Sequence, residues 1–348
     1  MTPQAKKSQP EPVTMRDVAR AAQVSQSTVS RVLSPASSNS KVLISDDTTE
    51  KVLAAVKELG YHPNQYARSL RGKKNHMIGM LIADISNPFY HPMVRAVQDV
   101  ASQYHYSVMI ANSDHLCEKE VQFCESLLRR PVDGAVIIPY HLDDGDLQNL
   151  IARTGMAISA VGNHIQHPEI DTAYADDAKA TYEAIRWLIE QRGHQRIAMI
   201  GGNHEFPVII RRRSAFCKAM TDAGLAVPDE YVIEGEWSVE GGRRAITSLL
   251  KLPEPPTAVF AASDILAIGA LEAAEDMDYR VPEDIAIIGF DDIPAASWVR
   301  PRLSTVAQYP GEMGALLANA LFQRIQGEYS GSSRRFEVPC RFIERESA

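Results

Sequence analysis

The 348-residue chain has only four cysteines, Cys117, Cys124, Cys217 and Cys340, and no run of about 18 apolar residues. Four thiols are too few to staple a chain of this size. No C-x-x-C or Cys/His pair has zinc-finger spacing, so neither a disulfide scaffold nor a zinc module is expected. Cys117 and Cys124, seven apart, read as two small buried residues. Without a long apolar run there is no membrane-spanning helix. The first twelve residues are polar, with Lys6 and Lys7 but no apolar segment, so we expect no secretory signal and a cytoplasmic protein. Catalytic signatures are missing too. There is no G-x-G-x-x-G after a strand, no G-x-x-x-x-G-K-[ST], no H-E-x-x-H and no G-x-S-x-G. The expectation is therefore a protein that is not an enzyme and carries no cofactor or metal.

The chain is long enough for two or three domains, and its 45% apolar content supports sizeable cores. Its charge is uneven. Residues 1–75 carry twelve Lys and Arg against six Asp and Glu, whereas the remainder carries 24 against 38. A small basic head on an acidic body suggests a polyanion-binding module.

The head reads as three short helices. Thr14 caps the first, with Asp17 completing a capping-box-like pair and Val18, Ala21 and Ala22 forming the apolar stripe. Ser25 caps the second, Gln26 to Leu33, with Val29, Val32 and Leu33 inward. The third runs from Ser45 to a stop at Gly60. Helices this short hold together only by packing into one small core, in a helix-turn-helix pattern. The outer face of the second helix carries Gln26, Ser27, Ser30 and Arg31, which suit a major groove or are simply solvated. Residues 61–75 are basic, with Asn64 able to cap a turn and Leu70 lacking an obvious core. They are an ordinary linker, or a hinge helix that pushes Leu70 between base steps.

From residue 76, apolar runs alternate with helical patterns. Strands are expected at 78–83, 107–111, 135–139, 157–161, 197–201, 258–261 and 285–290, with a last run at 335–338. Helices are expected at 93–104, 117–130, 178–191, 211–223, 241–250 and 266–277. This alternation predicts two doubly wound parallel-sheet lobes, with a ligand in the cleft at the strand ends. Polar and aromatic groups sit there: Asp143 after 135–139, Arg212 after 197–201, Ser263 after 258–261 and Asp291 after 285–290. Carboxylates accept from vicinal hydroxyls, and Arg donates as a fork. Phe89 and Trp237 offer flat faces to a sugar ring. The plainer alternatives stand beside these: Asp291 or Ser263 as a helix cap, Trp237 as core, Asp143 as a solvated loop residue. Arg211-Arg212-Arg213 leaves an anionic effector open.

Two ordered series carry a resemblance. In the head they are Val24-Ser25-x-x-Thr28-Val29-Ser30-Arg31-Val32-Leu33 and Gly60-Tyr61-x-Pro63-Asn64-x-x-Ala67-Arg68-x-Leu70. In the body they are Ile78-Gly79, Asn87-Pro88-Phe89-Tyr90, Val132-Asp133-Gly134, Gly193-His194-x-x-Ile197, Ser263-Asp264 with Ala267-x-Gly269-Ala270, and Ile288-Gly289-Phe290-Asp291-Asp292. Together they resemble the lactose/galactose repressor (LacI/GalR) family across residues 14–345.

The resemblance implies a repressor that binds a pseudo-palindromic operator as a homodimer. A small-molecule effector, a sugar, sugar phosphate or nucleoside, would occupy a periplasmic-binding-protein-like core. It implies DNA contacts from Thr14, Ser25, Gln26, Ser27, Thr28, Ser30 and Arg31. It also implies a hinge whose Asn64, Ala67, Arg68 and Leu70 contact DNA, with Ala67 and Leu70 in the minor groove. Arg212 and Asp291 fall on effector-contacting positions, Trp237 on a stacking aromatic, and Ser263 where many members have Asn. The expected division is a disordered tail 1–13, a head 14–60, a hinge 61–75 and a core 76–348. Within the core, lobe 1 takes about 76–163 plus 293–327, and lobe 2 about 164–292 plus 328–348. Two departures are visible. The loop from Ser34 to Leu43 is longer than usual, and Gln23 replaces the usual Gly, which costs roughly 1 kcal/mol if φ is positive there. No heptad tail follows residue 338, so a dimer is expected rather than a coiled-coil tetramer. Two rivals remain, an exported sugar-binding receptor and a sugar-modifying enzyme.

Overall fold

The computed structural model describes residues 13–33, 44–61, 74–130 and 132–348. The tail 1–12, the loop 34–43 and the hinge residues Asn64, Ala67, Arg68 and Leu70 lie outside the described residues. The chain divides at residues 73/74 into two units.

The first unit holds α1 (Met15–Ala21), α2 (Gln26–Val32) and α3 (Asp46–Leu59). The Thr14 amide and hydroxyl both donate to Asp17, at 2.9 and 2.6 Å, so the first turn closes on its own carboxylate. The Ser25 hydroxyl accepts from the Thr28 amide at 3.1 Å, and Ser45 does the same for Thr48 at 3.3 Å. Gly60 ends α3 in the left-handed region. Val18, Ala19, Ala22, Val29, Val52, Ala55 and Tyr61 form the buried core. Ala19 takes the place expected for Ala21, which is exposed. Gln23 has φ +54°, so the tight turn keeps the geometry a glycine would relieve.

The second unit begins with β1 (Met77–Ile82), α4 (Tyr90–Gln103), β2 (Ser107–Asn112), α5 (Cys117–Arg129), β3 (Gly134–Ile137), α6 (Asp144–Thr154), β4 (Ala157–Val161) and β5 (Asp171–Ala175). It continues with α7 (Asp177–Glu190), β6 (Ile197–Gly201), α8 (Pro207–Asp222), β7 (Val232–Glu234), α9 (Val239–Leu250), β8 (Ala258–Ala261), α10 (Asp264–Asp276) and β9 (Ala286–Ile288). It closes with β10 (Thr305–Ala307), α11 (Pro310–Gln326), β11 (Arg335–Val338) and β12 (Arg341–Ile343). The first-lobe sheet is parallel, in the order β11-β5-β4-β3-β1-β2. The second is parallel too, in the order β7-β6-β8-β9, with an antiparallel β10-β12 pair beside it. Each sheet is covered on both faces, by α4 and α11 against α5 and α6 in one lobe, and by α9 and α10 against α7 and α8 in the other.

The lobe boundaries differ from the sequence expectation. The expected crossings near Asn163, Asp292 and Gly327 lie instead near Asp176, Gln308 and Cys340. The reason is pairing. β5 continues the first sheet against β4, and β11 returns to pair with β5, so residues 164–175 and 328–338 belong to lobe 1. β10 pairs with β12, which keeps 293–307 in lobe 2. Lys74 and Asn75, assigned to the hinge from sequence, belong to the core unit, where Asn75 donates to Asp133 at 2.9 Å. Among the described residues no helix is long and apolar enough to cross a membrane.

Candidate DNA interface and candidate effector cavity

On the head, Ser25, Gln26 and Ser27 are exposed at the start of α2, with Thr28, Ser30 and Arg31 half-buried behind them. Thr14 and Ser25 spend their hydroxyls as caps, as described above. The Arg31 Nε donates back to the Ser27 carbonyl at 3.3 Å, which lays the guanidinium along the outer face of the helix. Gln26 makes no side-chain hydrogen bond among the described residues, so its amide is available to a base edge.

In the core, the carboxyl ends of the first-lobe strands converge on a cavity of about 100 Å³ between the lobes. β1 leads into Asn87, Phe89 and Tyr90, β2 into His115, β3 into Tyr140 and β4 into His164. The second lobe contributes Asp177, Arg211, Arg212, Trp237, Asp291 and Gln308. Of the six effector residues expected from sequence, Phe89, Arg212, Trp237 and Asp291 line this space. Two do not. Asp143 is exposed and caps α6, accepting from the Gly145 and Asp146 amides at 2.8 and 3.0 Å. Ser263 is fully buried and caps α10, accepting from Leu266 at 3.3 Å. In both cases the short polar side chain satisfies an orphan helix amide. That is the plainer expectation for Ser263, whereas the plainer expectation for Asp143 is a solvated loop residue, and it caps a helix instead.

Arg212 lies farther into its helix than expected, because Pro207 starts α8 four residues before Arg211. It is buried and donates to the Ala262 carbonyl at 2.5 Å. Its guanidinium stands 3.6 Å from the centre of the Phe290 ring and its Nε 3.6 Å from Asp177. Arg211 grips Asp177 with two bonds of 2.9 Å. Arg213 faces a separate surface recess with His204 and Glu234. Arg211 and Arg212 therefore both face the cavity, each against Asp177, and Arg213 alone of the run points away from it.

Asp291 has φ +123°, and its amide donates to the Val306 carbonyl at 2.8 Å. Its carboxyl accepts from Gln308. Burial raises its pKa well above the carboxylate range, Arg212 opposes that rise, and Asp264 adds to it. Asp264 pins this turn from behind. Its amide donates to the Phe290 carbonyl at 2.6 Å, and its carboxyl accepts from the Ile293 amide at 2.9 Å and the Thr305 hydroxyl at 2.5 Å.

Aromatic contacts close the mouth of the cleft. His115 of the first lobe lies between Phe206 and Trp237 of the second, with ring centres 5.5 and 6.1 Å away. Tyr140 meets Phe206 edge-on at 4.9 Å, and the Tyr90 and Tyr140 hydroxyls are 2.9 Å apart. Burial lowers the His115 pKa to about 4, so the ring is uncharged at neutral pH. Sequence reasoning missed His115, Tyr140, His164, Asp177 and Gln308. Each follows a strand end or opens the next element, which is the signal that could have found them. Among the described residues no group of three His, Cys, Asp or Glu is arranged to hold a metal ion.

Comparison with known proteins gives two family matches. Residues 14–64 match the model for bacterial regulatory proteins of the lacI family, and residues 172–348 match a periplasmic binding protein-like domain. Catabolite control protein A of Priestia megaterium is 33% identical over 96% of this chain and 99% of its own. The transcriptional repressor CytR of Escherichia coli is 32% identical over 98% of both. A crystal structure of the lac repressor dimer, bound to operator and the anti-inducer ONPF, superposes with a TM-score of 0.80 at 29% identity, covering 97% of this chain and 99% of that one. The relatives are regulators, and the chain belongs to the LacI family of bacterial regulatory proteins, as a helix-turn-helix DNA-binding regulator with a periplasmic-binding-like core.

Proposed function

We propose that the chain represses transcription as a homodimer on a pseudo-palindromic operator, and that a small molecule in the interlobe cavity sets its grip. The observation that carries this reading is the cavity itself, where Arg212, Asp291, Trp237 and Phe89 from distant parts of the chain meet at the strand ends. Gln26 and Ser27 read base edges, while Arg31, Thr28 and Ser30 hold phosphates or neighbouring bases. Thr14 and Ser25 present helix ends to the backbone. Asn64, Ala67, Arg68 and Leu70 form the hinge, with Leu70 wedged into the central minor groove.

The lobes are the two-state element. The aromatic contacts of His115 with Phe206 and Trp237, and of Tyr140 with Phe206, cross from one lobe to the other, so opening the cleft would break them. A ligand that contacts both walls therefore shifts the balance by its difference in affinity for the closed and open forms. Such a regulator works where the chromosome is, in the cytoplasm, and needs no turnover chemistry.

The test is binding of the full chain to DNA over a salt series. A regulator of this kind loses affinity steeply as salt rises, whereas a transport receptor or a sugar-modifying enzyme has no such dependence. Leu70→Ala should weaken operator binding far more than non-specific binding; equal loss on both DNAs removes the wedge.

A further inference from the structure

Four cavity residues carry polar atoms that are shut off from solvent and hydrogen-bonded to nothing among the described residues: His115 Nδ1, His164 Nδ1 and Nε2, Arg212 Nε and Trp237 Nε1. A buried donor or acceptor left unpaired is destabilising, and folded proteins rarely tolerate it without a use. His164 stands out because both of its ring nitrogens are unpaired. It sits on the β4–β5 loop, opposite Arg211 and Arg212. The backbone is shaped around it. Gly162 has φ +115°, and a Cβ there would come within 2.6 Å of the imidazole. Gly202 makes the same allowance for the Trp237 indole, where a Cβ would lie 2.5 Å from the ring.

The inventory of free groups defines the ligand. Arg212 Nε and Trp237 Nε1 can only donate. Burial, reinforced by Arg211 and opposed by Asp144, lowers the His164 pKa. A neutral imidazole has one donor and one acceptor, so His164, with both ring nitrogens unpaired, sets an acceptor beside the two donors. A hydroxyl serves both sides, because it accepts and donates. A phosphate would want a free guanidinium fork. Arg211 has given its fork to Asp177, and Arg212 has committed one arm to Ala262.

We propose that His164 is the specificity-determining residue of the cavity, accepting a hydrogen bond from a hydroxyl of an uncharged polyol and discriminating against its phosphorylated form. This rests on the reading of the cavity as the effector site.

The experiment compares the full wild-type chain with His164→Phe and His164→Gln by thermal unfolding and titration calorimetry. The probes are D-ribose, D-glucose, cellobiose and uridine, with ribose 5-phosphate and glucose 6-phosphate. Without ligand, His164→Phe should unfold at the wild-type temperature or above it, since a ring of similar shape has no nitrogens to leave unpaired. A fall of about 3 °C or more makes His164 structural and overturns the proposal. The wild type should be stabilised by at least one uncharged probe and not by the phosphates. His164→Phe should bind that probe at least ten-fold more weakly, with His164→Gln recovering part of the loss. Unchanged affinity in His164→Phe, or a wild type that prefers a phosphate, overturns the proposal while leaving the effector cavity standing. A wild type blind to every probe counts instead against the effector cavity, and the ligand-free comparison still decides whether His164 is structural.

Discussion

The core contains the same trio twice, one aspartate between two arginines, within six positions of chain. In the first lobe, Asp171 is fully buried and takes Arg324 at 2.7 and 3.0 Å and Arg334 at 2.9 and 3.2 Å. The spare guanidinium nitrogens go to the Gly331 carbonyl and the Gln323 amide oxygen. In the second lobe, Asp177 is equally buried and holds Arg211 with two bonds, but Arg212 stands back at 3.6 Å with its Nε unpaired. The first trio is closed on itself and ties β5 to α11 and the approach to β11. The second is open toward the cavity. A completed polar network specifies structure, whereas an incomplete one marks where a ligand completes it.

That contrast can be broken in four ways. Asp171→Ala should cost the most, about 2–4 kcal/mol, because it removes a fully buried carboxylate that holds two half-buried arginines; urea unfolding of the full chain measures it, and a loss under about 1 kcal/mol would dissolve the contrast. Asp171 should also show in acid. Burial pushes its pKa up, but the bonds from Arg324 and Arg334 prevail and hold it at about 2, below the ordinary 3.8. Its contribution is thus complete above pH 4 or so and fades as pH falls toward 2. An Asp171→Asn chain should lack that segment of the acid-unfolding curve. Arg212→Met should cost less stability, about 1.5–3 kcal/mol from the lost bond to the Ala262 carbonyl, since Arg211 still pairs Asp177; its main effect should be loss of the DNA-binding response to ligand. Asp143→Ala should cost least, about 1 kcal/mol as a lost helix cap. It should leave effector affinity untouched, and a changed ligand dose-response would return Asp143 to the site.

The parts of the fold legible in the sequence were those with a strong local signal. β1, β3, β6 and β8 are continuous apolar runs, and α7 and α9 carry clear stripes. What was missed depends on distant partners. β5 reads Asp-Thr-Ala-Tyr-Ala and is a strand because β4 and β11 flank it. α11 contains Gly311 and Gly314, which weaken a helix locally. A Cβ at Gly314 would come 2.7 Å from the Met93 carbonyl, so that glycine lets α11 approach α4 closely. The site divides in the same way. Arg212 and Asp291 stand in recognisable motifs beside strands. His115 and His164 lie 49 positions apart in ordinary loops and line one cavity only because their strands end along the same carboxyl edge of one sheet. Asp143 and Ser263 also stand just past strand ends, but each has a nearer helix amide to satisfy.

The central claim is that a ligand in the cleft tunes the head's hold on DNA. The direct measurement is enrichment of genomic fragments by the full wild-type chain and by Arg212→Met, each with and without small metabolites from the same cells. Both chains should select one shared pseudo-palindromic sequence, with metabolites changing recovery only for the wild type. Selection of no sequence, or the same metabolite response in both chains, would contradict the account.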